Sequence, residues 1–358
     1  FQGTPSFIDP SAKVTENNST RFIQLDAFSI CWQSSYIFGT ILANTLLLYI
    51  FLFKIKERTY SNMCFISLTT CDLIVGLICL PLNVLFALPN GIELEFYFGV
   101  FLTITAYAQP PIGLYTLVLL SWHRLNLLIR PMSSRDTPSS MRIVTLILIW
   151  IVIYLAWILV TIWFILVGFY DQVTPDIVPP PFFILILDFI FYLFPLLANT
   201  ALCSIIIAYL IQKRRKLQLI NSSSISFNAK RSTISLAIQR TESLNNYRTI
   251  SLTNDEKFTV CKRHSSVTKL RMARDTKAIL CLVTIIVTIV ITQTMFILTW
   301  PLFVYDIVTN REFYVVTVWL SFLNSLINPF ILFIFHKNIR SELFSILKLK
   351  TIIHACVY

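Results

Sequence analysis

Four polar side chains interrupt apolar stretches of this sequence. Asp72 lies within LTTCDLIVGLICLPLN, and Asn324, Ser325 and Asn328 lie within WLSFLNSLINPFILFIF, residues 319–335. Polar groups inside a bilayer are costly and usually mark function. Their oxygen atoms are the ligand type that hard cations such as sodium prefer. The residues predict one polar network, which either encloses water or sodium or simply joins two helices through a protonated Asp72 that hydrogen-bonds to Asn328.

The second stretch also contains a proline, Pro329, directly after Asn328. Proline has no backbone N–H, so a carbonyl of the preceding turn loses its usual partner. A membrane helix tolerates this only where neighbouring groups or ordered water satisfy that carbonyl. We therefore expect other helices to pack against the polar side of residues 319–335.

Membrane helices must position these residues. Of the 358 residues, 56% are hydrophobic and only 13% are charged, whereas soluble proteins have about 25% charged residues. A membrane helix needs about 20 mostly apolar residues, and seven stretches qualify: 34–53, 62–87, 97–125, 143–168, 182–211, 278–305 and 313–335. The sequence predicts an all-α membrane protein, a seven-transmembrane helix bundle with an amphipathic eighth helix on the inner membrane surface.

The connecting loops alternate in charge. One set carries most of the basic residues, such as Lys54 and Arg130, and the other carries acids such as Glu93 and Asp171. Because basic residues stay cytoplasmic, we expect a multi-pass protein of the plasma membrane with its N-terminus outside. The net charge of +11 then reflects topology, and nucleic-acid binding is disfavoured.

This topology divides the chain into five predicted segments. They are an extracellular tail (1–33), five spans (34–211), a cytoplasmic third loop without a fold of its own (212–275), two spans (276–335) and an amphipathic helix with a tail (336–358). The first tail carries glycosylation sequons at Asn17 and Asn18. The third loop is rich in Ser, Thr, Lys and Arg, and is either a solvated linker or a kinase substrate. Cys356 is either palmitoylated or an unmodified tail cysteine.

Every span carries a residue or motif at the place where one receptor family has its own. In chain order these are Asn44, Asp72 with Pro81, Arg124 in SWHRLNLLIRPM, Trp150, Pro195, the pair Phe296 and Trp300, and NSLINP at 324–329. The set resembles the rhodopsin-like (class A) G-protein-coupled receptors. The second and seventh spans are most similar to the monoamine (aminergic) group of that family.

The resemblance implies that the protein transmits an extracellular small-molecule signal to a heterotrimeric G protein. It also implies arrestin and receptor kinases as partners. It assigns coupling and switching to residues at the centre and inner end of the bundle, namely His123, Arg124, Pro131, Met132, Phe296, Trp300 and Pro329.

Several positions depart from the family pattern. His123 stands where an acid normally restrains Arg124, and Leu332 and Cys203 replace two tyrosines that bridge through water in active receptors. Because His is mostly neutral near pH 7, we expect a weaker restraint and appreciable basal activity. The alternative is a receptor-like protein that has lost signalling and acts as an interaction partner. The usual disulfide is excluded, since no cysteine lies between Cys79 and Cys203.

The ligand prediction rests on one acid. Ala106 stands where amine receptors have an aspartate, so a conventional amine mode is disfavoured. Asp188 lies about two turns outside Pro195 and is either a site for a cationic ligand or a helix-end group bonded to a neighbour. The resemblance and the spacing give the pocket aromatic walls that suit a cation: Trp300, Phe303, Trp319 and Phe322.

Three other classes are less well supported. A transporter predicts paired repeats or broken helices, and the sequence has neither. A retinal photoreceptor needs a lysine in the seventh span, where residues 313–335 have none. An intramembrane enzyme needs a nucleophilic or metal constellation, and the four histidines, His123, His264, His336 and His354, all fall on the inner side. No cofactor is expected beyond the sodium left open at Asp72.

Overall fold

The computed structural model describes residues 27–57, 59–86, 96–130, 139–168, 170–171, 176–177, 181–241, 254–304, 307 and 310–346. Side chains are described for most of these, but not for 219–241 or 254–275. The predictions for Asn17, Asn18, Pro131, Met132 and Cys356 lie outside the described residues.

Within that part of the chain, seven helices are long and apolar enough to cross a membrane. We number them as the first to seventh spans: Ile30–Lys54, Tyr60–Val84, Phe96–Ile129, Ile143–Val167, Phe182–Lys216, Thr276–Phe303 and Phe313–Phe335. A further helix, Lys337–Ile346, follows the seventh span. The predicted all-α seven-span fold is confirmed. The described residues also contain one strand pairing, a two-residue antiparallel ladder of Tyr170–Asp171 with Asp176–Ile177.

The helices themselves extend beyond the spans. Their bounds are Ala27–Tyr49, Tyr60–Ile74, Leu80–Phe86, Phe96–Ile129, Ser139–Val167, Pro181–Asp188, Phe194–Thr241, Asn254–Val304 and Arg311–Phe335. Helical backbone thus enters the segment 212–275, where the sequence predicts no independent fold. A helix satisfies its own backbone groups, so this extension needs no packed core, and the prediction for that segment stays a prediction.

Three π-helical turns interrupt the described spans, at Ile50–Lys54, Val75–Cys79 and Phe189–Leu193. A π turn accommodates one extra residue and rotates the side chains that precede it. Two of these turns lie just before prolines, Pro81 and Pro195. They therefore help to set which side chains of the second and fifth spans face the interior.

The core of the bundle is apolar and continuous across the spans, with fully buried side chains such as Ile112, Leu117 and Trp157. Large apolar side chains also cover the outside, as on the fourth span, where Val152 and Leu159 are exposed. Such a surface is unusual for a soluble protein and fits contact with lipid tails.

The eighth helix is amphipathic. Ile339 is completely buried against the bundle, while Lys337 and Arg340 are exposed. The helix of the seventh span ends at Phe335, and the backbone of the next residue, His336, is extended (φ −97°, ψ 101°). The Arg340 guanidinium donates to the Ile334 carbonyl at 3.0 Å and so ties the eighth helix to the last turn of the seventh span.

Candidate functional site

Asp72 and Asn328 meet in the interior of the bundle. The Asn328 side-chain amide donates to a carboxylate oxygen of Asp72 at 3.0 Å, and Ser325 makes a second polar contact with that carboxylate. Asp72 is only 7% exposed. Burial of a carboxylate costs free energy that such partners offset, so the second and seventh spans are joined here by a specific polar contact.

The carbonyl that Pro329 leaves free also has a partner. Pro329 has no N–H to offer the carbonyl of Ser325, four residues earlier. The Asn44 amide of the first span donates to that carbonyl at 2.9 Å and to the Thr40 carbonyl at 2.9 Å. Asn44 is completely buried. The first span thus supplies the neighbour that the seventh span requires.

A cavity lies beside Asp72. The centre of a water molecule can occupy a volume of about 40 Å³ within it. This exceeds the roughly 10–15 Å³ that one water needs. Four amide oxygens have no hydrogen-bond donor among the described residues, and their side chains all line the cavity: Gln109, Gln293, Asn324 and Asn328. Together with the carboxylate they form a set of oxygen acceptors around one small space, which suits a monovalent cation with water.

Two of these residues were not predicted from the sequence. Gln109 is 1% exposed and donates its amide N–H to the Tyr154 hydroxyl, and Gln293 is 6% exposed and donates to the Ser321 carbonyl at 3.0 Å. Each amide nitrogen is therefore engaged, which leaves the oxygen facing the cavity. A glutamine within a membrane span is itself a signal of function that would have found both residues.

Gly113 also lines this cavity, at the position where the family often has a serine. A Cβ atom there would meet Leu68 at 3.9 Å, an ordinary contact, so space does not explain the glycine. The third span contributes its oxygen from Gln109 instead, about one turn away.

Asp188 lies near the N-terminal end of the fifth span, at the last residue of the helix Pro181–Asp188. It is 6% exposed, and its Oδ1 atom has no hydrogen-bond partner among the described residues. Tyr192 lies one turn further along the same span. The alternative interpretation, a neighbour bonded to the carboxylate, thus has no support at Oδ1.

Aromatic rings follow directly inward from Asp188. Tyr192 contacts Trp300 edge-to-face at 6.5 Å between ring centroids, and Trp300 stacks on Phe296 at 6.0 Å. Tyr107 of the third span contacts Trp300 at 5.9 Å. The predicted wall residue Phe303 stacks on Tyr314 of the seventh span at 4.2 Å.

The remaining predicted pocket residues form a second group. Trp319 packs edge-to-face on Trp32 at 5.0 Å and on Tyr36 at 5.7 Å. Ala106 and Phe322 pack against the same cluster as Trp319, and Phe322 also lines the Asp72 cavity. The structure therefore divides the six predicted residues between a group near Asp188 and Trp300 and a group beside the first and second spans.

Two of the predicted coupling residues, His123 and Arg124, lie near the C-terminal end of the third span. His123 packs edge-to-face on Tyr60 at 4.7 Å, and Arg124 beside it is half-buried. His336 is half-buried, and burial together with the positive charge of Arg124 lowers the pKa of its imidazole below the usual value. Cys203 and Leu332, which replace the two tyrosines, are both buried.

The fold and these sites agree with a comparison against known families. The sequence model described as "7 transmembrane receptor (rhodopsin family)" matches residues 43–332, more than three quarters of the chain. This chain belongs to the rhodopsin family of seven-transmembrane receptors. Among curated proteins, none matches the chain.

Membership in this receptor family confirms several predictions made from the sequence. The protein is a receptor and not an enzyme, and it is a multi-pass membrane protein that contacts lipid. The matched region spans both the Asp72 cavity and the Asp188 group, so both sites belong to the receptor core.

Proposed function

We propose that this receptor lies in the plasma membrane with its N-terminus outside, binds an extracellular cationic small molecule at Asp188, and activates a heterotrimeric G protein. The observation that supports this most is the buried, unpartnered Oδ1 atom of Asp188 among the described residues. Likeness to the monoamine receptors in the second and seventh spans supports a cation, whereas Ala106 excludes their usual aspartate contact.

An unsatisfied carboxylate inside the bundle is costly. Burying a charged group without a partner costs several kcal/mol, and Asp188 has no basic partner in the part of the chain that the structure describes. A ligand ammonium group would form a charge-assisted hydrogen bond with Oδ1, which is about twice as strong as a neutral one. Binding would therefore relieve a cost that the free receptor bears.

The rings next to Asp188 favour a cation over a neutral ligand. Tyr192 and Tyr107 each lie within ring-contact distance of Trp300. A cation within about 6 Å of such a ring face gains roughly 0.5–2 kcal/mol. Trp300 also stacks on Phe296, which gives the ligand a physical route to the sixth span.

Coupling is assigned to Arg124 at the inner end. His123 contacts Tyr60 through its ring and offers Arg124 no negative charge. The pair between an acid at position 123 and Arg124, which the resemblance implies for the family, therefore cannot form at this position, and we expect measurable basal activity. Arrestin and receptor kinases are proposed as the further partners of the inner face.

Sodium is proposed for the Asp72 cavity. One carboxylate and four amide oxygens suit a hard monovalent ion, and the cavity is large enough for an ion with water. Asp72 would supply the charge, and Asn324, Asn328, Gln109 and Gln293 would supply neutral oxygens. An ion there would stabilise the packing of the second, third, sixth and seventh spans.

The ligand proposal is tested with a panel of cationic small molecules screened for G-protein activation in cells. We expect an agonist whose potency falls at least tenfold in Asp188→Asn, because that variant removes the charge and keeps the shape. Asp171→Asn is the control, since it removes an equal charge from the outer side. Equal potency in the wild type and Asp188→Asn, for every agonist found, would contradict the proposal.

A second candidate function has a specific observation in its favour. Cys203 and Leu332 fill, with apolar atoms, the places where two tyrosine hydroxyls bridge in active receptors of this family. In this second candidate function, the receptor acts as an interaction partner and does not signal. It would show no G-protein activation with any G-protein class.

A further inference from the structure

Prolines in the third and fifth spans remove the helical donors of several backbone carbonyls, and in each span a tyrosine contacts one of these carbonyls. Pro111 has no N–H for the carbonyl of Tyr107, four residues earlier. The fifth span is in π register before Pro195, where the Phe194 N–H bonds to the Phe189 carbonyl. The next bond of that register would run from residue 195 to Ile190, and Pro195 cannot donate it.

The carbonyls of Tyr107 and Ile190 each accept a hydrogen bond from a tyrosine of the opposite span. The Tyr115 hydroxyl of the third span donates to the Ile190 carbonyl at 2.8 Å. The Tyr192 hydroxyl of the fifth span donates to the Tyr107 carbonyl at a longer 3.4 Å. We call this reciprocal pair, Tyr115 to Ile190 and Tyr192 to Tyr107, the tyrosine clasp.

The bond from Tyr115 is specific for the π turn. In an uninterrupted α-helix the Phe194 N–H would bond to Ile190, and Pro195 would leave the Phe191 carbonyl free instead. Tyr115 reaches Ile190, so its hydroxyl stabilises the π register relative to the α register. Ile190 is exposed on the lipid side, where no water is at hand to replace that donor.

The register of this turn decides where Asp188 points, because Asp188 directly precedes it. Each residue turns an α-helix by about 100°. If the π turn became α-helical, the residues before it would shift by one position. Phe189, whose side chain is now exposed toward lipid, would then take the place of Asp188. The orientation of the Asp188 carboxylate therefore depends on a hydrogen bond that Tyr115, a residue of another span, makes.

We propose that Tyr115 is a positioning residue for the ligand site: by holding the Ile190 carbonyl, it keeps the fifth span in π register and Asp188 turned to the interior. This inference rests on the proposed role of Asp188. It also gives the third and fifth spans a link in a chain that lacks the family's disulfide. Asn199 extends the link inward, with bonds to the Leu114 carbonyl at 3.1 Å and from Ser121 at 3.2 Å.

The test measures side-chain orientation and needs no known ligand. Cysteine is introduced by Asp188→Cys or Phe189→Cys in full-length receptor that also carries Cys31→Ser, because Cys31 is exposed. A quaternary-ammonium methanethiosulfonate reagent is applied to intact cells from outside, and the labelling rate is followed. In Tyr115→Phe we expect the rate at position 188 to fall and the rate at position 189 to rise, each by about tenfold or more.

The control is Tyr209→Phe, the same change at a tyrosine nearer the inner end of the fifth span. Only correctly folded receptor, selected by surface expression and a single size-exclusion peak, is compared. General loosening would change both rates in one direction, so the opposite changes identify a change of register.

Two contrary results have different meanings. If the Asp188→Cys receptor is not labelled even with Tyr115 intact, the proposed outward-facing ligand site is wrong, and this inference falls with it. If that receptor is labelled but Tyr115→Phe leaves both rates unchanged, the positioning role is wrong and the ligand site stands.

Discussion

Replacing Asn44 with alanine is expected to destabilise the receptor. Asn44 belongs to the first span, but the interaction that is lost stabilises the seventh span. The Asn44 amide donates to the Ser325 carbonyl at 2.9 Å, and Pro329 prevents that carbonyl from finding its helical partner. Asn44→Ala therefore leaves a buried acceptor unsatisfied. Asn44 itself is completely buried, so water cannot simply take its place without opening the bundle.

The magnitude follows from that acceptor. An unsatisfied buried carbonyl costs about 1–3 kcal/mol, and the space left by the shorter side chain adds a further cost. The two parts separate in the background Pro329→Ala, because the alanine of that variant supplies the missing N–H to Ser325. We expect Asn44→Ala to cost about 1–3 kcal/mol less in that background. The cavity left by the shorter side chain is the same in both backgrounds, whereas the Ser325 carbonyl is left unsatisfied only when Pro329 is present.

The assay is reversible unfolding of purified receptor in mixed micelles, with all four members of the cycle measured together. Thr40→Val is the matched control, because Thr40 is a fully buried neighbour whose hydroxyl bonds within its own helix and whose loss should cost the same in both backgrounds. An Asn44→Ala cost that is equal in the wild-type and Pro329→Ala backgrounds would refute the reasoning.

Three further predictions concern the cavity and the inner face. Sodium chloride should raise the melting temperature of the receptor relative to choline chloride. The shift should correspond to about 1.6 kcal/mol of stability when the sodium concentration is about 15 times its Kd. Asp72→Asn should abolish this shift and Gln293→Leu should weaken it, and an unchanged shift in Asp72→Asn would exclude the sodium site. His123→Glu should lower basal G-protein activation severalfold, because a carboxylate would pair with Arg124; equal or higher basal activity would contradict this. The pKa of His336 is lower in the folded protein than its usual 6.5. The unfolded chain therefore binds more protons, and the free energy of unfolding should fall as the pH drops below about 6.5. His336→Gln should flatten this pH dependence, measured by denaturation at about pH 5 to 7, and an identical slope in the variant would contradict the prediction.

Much of the fold follows from local sequence. Runs of about 20 apolar residues were enough to find all seven spans, and the spacing of Ile339 and Leu343 was enough to predict the eighth helix. The sequence also predicts that another helix must pack beside Pro329 and satisfy the carbonyl four residues earlier, because this follows from the missing N–H alone.

Other features depend on how helices rotate and pack, which local sequence does not determine. The division of Trp300 and Trp319 between two clusters follows from the angle at which each span faces its neighbours. The π turn at Phe189–Leu193 is met by Tyr115, a contact between residues far apart in the chain. Gln109 and Gln293 converge on Asp72 only once the third and sixth spans are in place.

The central claim is that this receptor activates a G protein through Arg124, and basal signalling in cells tests it most directly. G-protein activation is measured for each G-protein class without added ligand, at matched surface expression, for the wild type, Arg124→Ala and the control Arg130→Ala, in which an exposed arginine at the end of the same span is removed. We predict a basal signal that Arg124→Ala abolishes and Arg130→Ala largely retains. A signal that survives Arg124→Ala unchanged, or no signal with any G-protein class in any of the three, would contradict the account.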